Sequence, residues 1–328
     1  MRLPGLVAVA FIAAAAQLTG SLAPLIGAPV LALVAGLVVR NTVGPRAALR
    51  DGADFTLKRL LRLAIILFGA TLSFQQVVTI GAAAATVIAA TIVLALGLVA
   101  ALGRALRAPR GLVSLIGVGT AICGATAIIT VGPIIESREE EIAFAVTTVF
   151  LFNMLAVLVY PLLGHLLALS DAVFGLWAGT AIHDTSSVLA AAFAFSEPAG
   201  RVATVVKLTR TLALVPLAVL YGIVHSTTRR VGHGGLGARV DLIKIFPWFV
   251  LWFVAAAAMN SLHLFGAAAV RWASLVGRFL VVMVMAAVGL SADLGRMRQI
   301  GLGPFYVGLA ASVTIAAVSM VLIRLLAR

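Results

Sequence analysis

Of the eleven acidic residues in the 328-residue chain, Asp184 is the one that lies well inside an apolar stretch. A charge held at the middle of a bilayer costs at least about 2.5 kcal/mol, so an ionisable side chain kept there points to function. Asp184 is a candidate proton carrier and also a candidate N-cap for a half-helix over 185–192, and the two roles are compatible. His183 beside it is a second proton-carrying candidate, histidine being the side chain whose ordinary titration lies nearest neutrality, or else a hydrogen-bonded packing residue. In the next apolar run Lys207 and Arg210 (VVKLTRTLALVP) stand three apart on one helix face. Snorkelling to the interface accounts for Arg201, but Lys207 sits about one and a half turns in and Arg210 a little over two.

Hydroxyl and small residues cluster at the same level. Gly119–Ile128 reads GTAICGATAI and Gly179–Val188 reads GTAIHDTSSV. A Gly/Thr/Ser-rich interruption of an apolar run is the sequence mark of a broken helix at a transporter's binding site, although small residues also serve close helix packing. A half-helix that starts at such a break offers free N–H groups and the positive end of its dipole. Thr120, Cys123, Gly124, Thr126, Thr185, Ser186 and Ser187 are therefore expected to line a substrate site with Lys207 and Arg210. Excess positive charge, dipole ends and hydroxyl donors fit an oxyanion. A bare cation site would more naturally carry two or three buried carboxylates or Asn groups.

Other chemistries fit poorly. His183, Asp184 and Ser186 are nearly contiguous, whereas a hydrolytic triad converges from separate elements, and no GxSxG is present. The five histidines are scattered without HExxH or other ligand spacing, and the single cysteine, Cys123, allows neither an internal disulfide nor a thiolate cage. No enzyme activity, metal or cofactor is expected.

The elements that must position these residues follow from composition. Hydrophobic residues make up 62% of the chain and charged residues 11%, with a mean hydropathy of +1.17. A soluble domain carries about a quarter charged residues. Apolar runs fall near 4–20, 22–40, 60–79, 82–103, 112–135, 142–165, 174–195, 202–225, 247–265, 272–292 and 303–325, eleven in all and each near the ~20 residues that span a bilayer. The expectation is one polytopic all-α membrane domain over 1–328. The N-terminal run resembles a signal peptide in part but is better read as a first spanning helix, since a second run follows at once.

The net charge of +13 sits mostly in short connections, a positive-inside distribution that calls for lipid and not nucleic acid. The connections at 41–59 (Arg46, Arg50, Lys58, Arg59), at Arg104, Arg107 and Arg110, at 226–246 (Arg229, Arg230, Arg239, Lys244) and at Arg296 and Arg298 are all cytoplasmic if every run crosses. The N-terminus is then inside and the C-terminus outside, with Arg324 and Arg328 on the less favoured side.

Two internal echoes are present. Leu61–Gly81 and Arg278–Gly301 share an apolar helix, Leu-Ser, a polar patch and Ile-Gly, and lie an odd number of crossings apart, as an inverted repeat requires. The GTAI segments are two crossings apart, so they run parallel if they span and become inverted if they re-enter from opposite faces. The sequence leaves both readings open.

GVGTAICGATAI (117–128), FGLWAGTAIHDTSSVLAA (174–191) and VVKLTRTLALVP (205–216), in this order, resemble the YeiH-like family of bacterial multi-pass membrane proteins, also termed the sulfate exporter family. The resemblance extends over nearly the whole chain. It implies an inner-membrane carrier that exports sulfate, sulfite or small organosulfonates. Many members look like His-Glu with a later Gln where this chain has His183-Asp184-Thr185-Ser186-Ser187, which shortens the carboxylate's reach and changes the donors. The inverted echo is also similar to the sodium/proton antiporter and bile-acid symporter architecture, in which a homodimer is common. The expected protein is a secondary transporter of a small anion. A cation/proton antiporter using Asp184 and a channel or non-transporting membrane protein are the alternatives.

Overall fold

A computed structural model of the chain describes residues 3–20, 27–44, 47–230, 242–297 and 302–326. Arg46, Arg239, Arg298 and Arg328 lie outside the described residues. The described chain is helical, without a strand. In order it forms α1 (Leu3–Gly20), α2 (Ala28–Val43), α3 (Ala47–Phe55), a π turn (Thr56–Leu60), α4 (Leu61–Gly69), α5 (Phe74–Ala105), α6 (Arg110–Ala121), α7 (Ala125–Ile134) and α8 (Glu139–Leu166). It continues with α9 (Asp171–Ala181), α10 (Thr185–Phe195), α11 (Glu197–Leu212), α12 (Leu214–Arg230), α13 (Leu242–Ile245), α14 (Trp248–Ser261), α15 (Ala267–Ser291), α16 (Leu294–Met297) and α17 (Leu302–Leu326). Among the described residues, six helical stretches are long and apolar enough to cross a membrane, namely α1, α5, α8, α11 with α12 (197–225), α15 and α17.

Several boundaries differ from the sequence reading: α4 ends at Gly69 and α5 already starts at Phe74, and Arg104, Arg110, Arg229, Arg230 and Lys244 fall on helices. Residues 47–60 are helical and run on into α4, so Arg50, Lys58 and Arg59 lie on a helix and not in a connection. A hydropathy boundary falls where charges begin, but a helix continues wherever its backbone bonds can form. Long stems let exposed Arg50, Lys58 and Arg59 reach from such a helix toward the interface.

The helices pack as two groups. The first holds α1–α4, α14 and α15, with α2 against α15 as its spine. Backbones approach closely there because Gly36 and Gly289 face one another, and a Cβ on Gly36 would meet Gly289 Cα at 3.1 Å. The second group holds α5–α12 and α17. Helix α10 also packs against α2 and α15, while α7 packs against α6, α8 and α12.

Both GTAI segments are helical hairpins. In α6–α7, a Cβ on Gly119 would meet Ile128 at 2.7 Å and one on Gly132 would meet Leu115 at 3.7 Å, so the two arms run antiparallel. The base lies beside the start of α8, with Gly111 against Ser137 and Glu141. In α9–α10, Phe174 stacks on Phe195 at 4.0 Å between ring centroids and Ser196 Oγ donates to Asp171 Oδ1 at 2.5 Å. That base lies beside the end of α8, where His165 stacks on Phe195 at 4.5 Å. The hairpins therefore enter from opposite ends of α8, and their tips, Ile122–Gly124 and Ile182–Asp184, meet midway.

Candidate functional site

Each hairpin tip interrupts a helix, and an interruption leaves C-terminal carbonyls of the first arm and N-terminal N–H groups of the second without helical partners. In a buried place every such group needs another partner. Lys207 and Arg210 satisfy the carbonyls. Both are 0% exposed on α11, which runs alongside α9 and α10. Lys207 Nζ donates to Ile122 O at 2.8 Å, to Ile182 O at 3.0 Å and to His183 O. Arg210 donates from Nε to Ala121 O at 2.7 Å, from Nη2 to Thr120 O at 2.7 Å and from Nη1 to Thr180 O at 2.7 Å and Ile182 O at 3.4 Å. The cations thus close the ends of α6 and α9 together and oppose the negative poles of both dipoles. All three ammonium donors are engaged on backbone, so in this conformation Lys207 offers an anion its charge and no direct hydrogen bond.

The N-terminal sides differ between hairpins. Asp184 caps α10, with Oδ2 accepting from Ser186 N at 2.9 Å, from Ser187 N at 3.3 Å and from Ser186 Oγ. The cap expected of Asp184 is therefore present, and Ser186 and Ser187, both buried, face inward around it. Helix α7 starts instead at Gly124, which has no side chain to cap it. Its φ of 64° and ψ of −130° are open to glycine and strained for other residues. A Cβ there would meet Asp184 Cβ at 3.3 Å and Asn153 Nδ2 at 3.4 Å, so the tips touch at Gly124.

The other predicted residues fall as follows. Thr120 is buried and bonds back to Ile116 O at 2.6 Å, while its own carbonyl serves Arg210. Cys123 is buried at the first tip. Thr126 is exposed in the first turn of α7, and Thr185 is half-buried in the first turn of α10. His183 is buried, and its Nε2 lies 3.0 Å from Ser312 Oγ of α17. The eleven candidates all belong to the tips, to the helical turns that flank them or to α11.

Two participants were missed in the sequence. Asn153, 2% exposed midway along α8, accepts on Oδ1 from His183 N and Asp184 N, both at 3.0 Å. The signal was a lone amide inside the apolar run AFAVTTVFLFNMLAVLVYP. Ser312 offers no such signal, since a serine in a membrane helix commonly bonds its own backbone.

Comparison with known proteins bears on identity. Residues 4–308 match the family described as conserved hypothetical protein 698. A UPF0324 membrane protein of Clostridium tetani is 35% identical over 304 residues, covering 90% of this chain and 88% of that one. UPF0324 membrane proteins of Streptococcus agalactiae and Streptococcus pyogenes are 35% and 37% identical, each alignment covering 97% of this chain and 96% of the relative. With a family match over most of its length and relatives of this identity, and in keeping with the YeiH-like resemblance, the chain belongs to the conserved hypothetical protein 698 family, the UPF0324 membrane proteins.

Proposed function

We propose that the protein is a secondary transporter of the bacterial inner membrane that carries a small anion, with sulfur oxyanions or organosulfonates as the substrate class. The observation that carries this reading is the charge at the hairpin tips. Two fully buried cations, Lys207 and Arg210, stand against the one carboxylate, Asp184, which is already engaged on its own helix N-terminus. Half-helix dipoles cancel pairwise, since two C-termini and two N-termini meet there. One unit of positive charge is left over, which a monoanion neutralises and a cation would aggravate. A dianion reaches the same balance once Asp184 takes a proton, and this is the basis for proton coupling through Asp184, with His183 beside it.

The membrane reading is of nine crossings and two re-entrant hairpins. The crossings are α1, α2, α3 with α4, α5, α8, α11 with α12, α14, α15 and α17. With the hairpins not counted as crossings, the basic connections still share one side with the N-terminus, which is cytoplasmic by the positive-inside rule. The hairpins then become the inverted pair that full crossings would not allow, and the echo at 61–81 and 278–301 stays inverted. Alternating access follows from the two helix groups moving against each other about the tips. The packing of α10 against α2 and α15, beside that of α7 against α6, α8 and α12, supports a state closed on the side from which the second hairpin enters. We read the protein as a carrier without enzymatic activity.

The test is thermal stabilisation of the detergent-purified protein by sulfite, sulfate, thiosulfate, sulfoacetate, chloride, dicarboxylates, sodium and lithium at two pH values. A ligand at a hundred times its dissociation constant stabilises by about 2.7 kcal/mol, a measurable shift. Stabilisation by a sulfur anion supports the proposal. Stabilisation by sodium or lithium alone replaces it with cation/proton antiport at Asp184.

A further inference from the structure

The outer face of the first helix group carries charges that the hairpin tips do not use. Lys58 and Arg59 in the π turn and Arg62 in the first turn of α4 are all exposed. Positions 58 and 62 lie one turn apart with 59 beside them, so the three cations share one side of the helix. Asp54 stands one turn before Lys58, yet among the described residues none of the three cations has a hydrogen bond or an ion pair. Arg62 lies instead over the Phe249 ring of α14, with 5.9 Å between its guanidinium carbon and the ring centroid. The π turn adds to the case, since such turns are rare and often mark functional places in a helix.

Helices α4 and α14 run parallel. Arg62 meets Phe249 near their starts, Gly69 meets Phe253 further on, and Asn260 Nδ2 donates to Leu72 O at 3.1 Å near their ends. Around and beyond the cations both helices turn apolar side chains outward. On α14 Trp248, Leu251 and Trp252 are 52%, 48% and 65% exposed, and on α4 Leu63, one turn past Arg59, is 44% exposed. Exposed tryptophans belong at the level where head groups meet chains, and Trp248 Nε1 is fixed there by donating to Ile243 O at 2.9 Å. In the topology given above this is the cytoplasmic side, where anionic lipids give the leaflet its negative surface.

We propose that Lys58, Arg59 and Arg62 hold the phosphate of an anionic phospholipid whose acyl chains lie along Leu63, Leu251 and Trp252. Free phosphate shares the headgroup chemistry, but the apolar surface that continues from the cations answers chains and not a free ion. A lipid so placed ties α4 to α14 and braces the first helix group. The site takes its side of the membrane from the proposed topology and is independent of the substrate that the tips carry.

The full chain is purified in neutral detergent, and melting temperature and affinity are measured with dioleoylphosphatidylglycerol, dioleoylphosphatidylcholine and sodium phosphate. The wild type is compared with Lys58→Gln/Arg59→Gln/Arg62→Gln and with Arg104→Gln/Arg107→Gln/Arg110→Gln, which removes three exposed cations assigned to the same side. We expect phosphatidylglycerol to raise the melting temperature of the wild type and of the second variant alike. Each cation near an anionic lipid is worth about fivefold in affinity, so the first variant should bind phosphatidylglycerol about a hundredfold more weakly. Equal losses in the two variants, or no loss in either, overturn the site and leave the carrier reading standing. A shift from phosphatidylcholine or sodium phosphate as large as that from phosphatidylglycerol overturns it as well. Should the first variant not fold, Arg59→Gln decides alone, where about fivefold weaker binding upholds the site and wild-type affinity rejects it.

Discussion

Replacing Lys207 by methionine keeps most of the side-chain volume and removes the ammonium. Ile182 O retains Arg210 Nη1 at 3.4 Å, but Ile122 O and His183 O lose their donor. Each orphaned buried carbonyl costs about 1–3 kcal/mol, so the variant should lose about 2–6 kcal/mol. For a chain of this size that corresponds to a fall in melting temperature of about 3–9 °C. Cys123 makes the assay direct, because it is the chain's single cysteine and is 2% exposed at the first tip. In the wild type a thiol-reactive fluorophore should label it only as the fold melts. In Lys207→Met labelling should begin well below the melting temperature, since the tips have lost the group that holds them together. Wild-type melting together with wild-type protection of Cys123 would refute the assignment of Lys207 to the helix ends. The sequence alone supports a simpler expectation, that removing Lys207 abolishes transport and leaves the fold intact. The carbonyl partners change that expectation to loss of transport together with a loss of stability.

Further outcomes follow from the same geometry. Asp184→Asn retains a competent N-cap for Ser186 N and Ser187 N, so stability should change by less than about 1 kcal/mol while proton-coupled flux in proteoliposomes is lost; unaltered coupling would remove Asp184 as proton carrier. Gly124→Ala forces a Cβ into φ 64° against Asp184 and Asn153 and should cost about 1–3 kcal/mol, read as a lower melting temperature. Glu197, at the start of α11, joins Arg278 and Ser274 of α15 at 2.7 Å each and so bridges the two helix groups. These side chains are partly exposed, so Glu197→Gln should alter stability by less than about 1 kcal/mol yet raise accessibility on that side, measured as labelling of a cysteine introduced at Thr185. Unchanged labelling would show that the bridge does not hold the groups together.

The sequence by itself determined the solvent and where the buried charges stand. With 11% charged residues no water-soluble surface could be covered, and the few charges inside apolar runs, Asp184, Lys207 and Arg210, were therefore legible as the centre. The GTAI echo located both interruptions, because Gly, Thr and Ser at that depth mark places where helical bonding stops. Tertiary structure alone decided what the interruptions are. Whether an interrupted run crosses or turns back depends on the path after the tip, and hydropathy is the same in either direction. Asn153 stood out only as a lone amide in an apolar run, and its role comes from two N–H groups about thirty residues ahead. The division of labour at the site was also a matter of distance. Sequence spacing put Lys207 and Arg210 on one face, but only the packing of α11 along the second hairpin brought their donors to the carbonyl ends of α6 and α9. Backbone carbonyls belong to every residue alike, so no pattern of side chains can announce which of them need a partner.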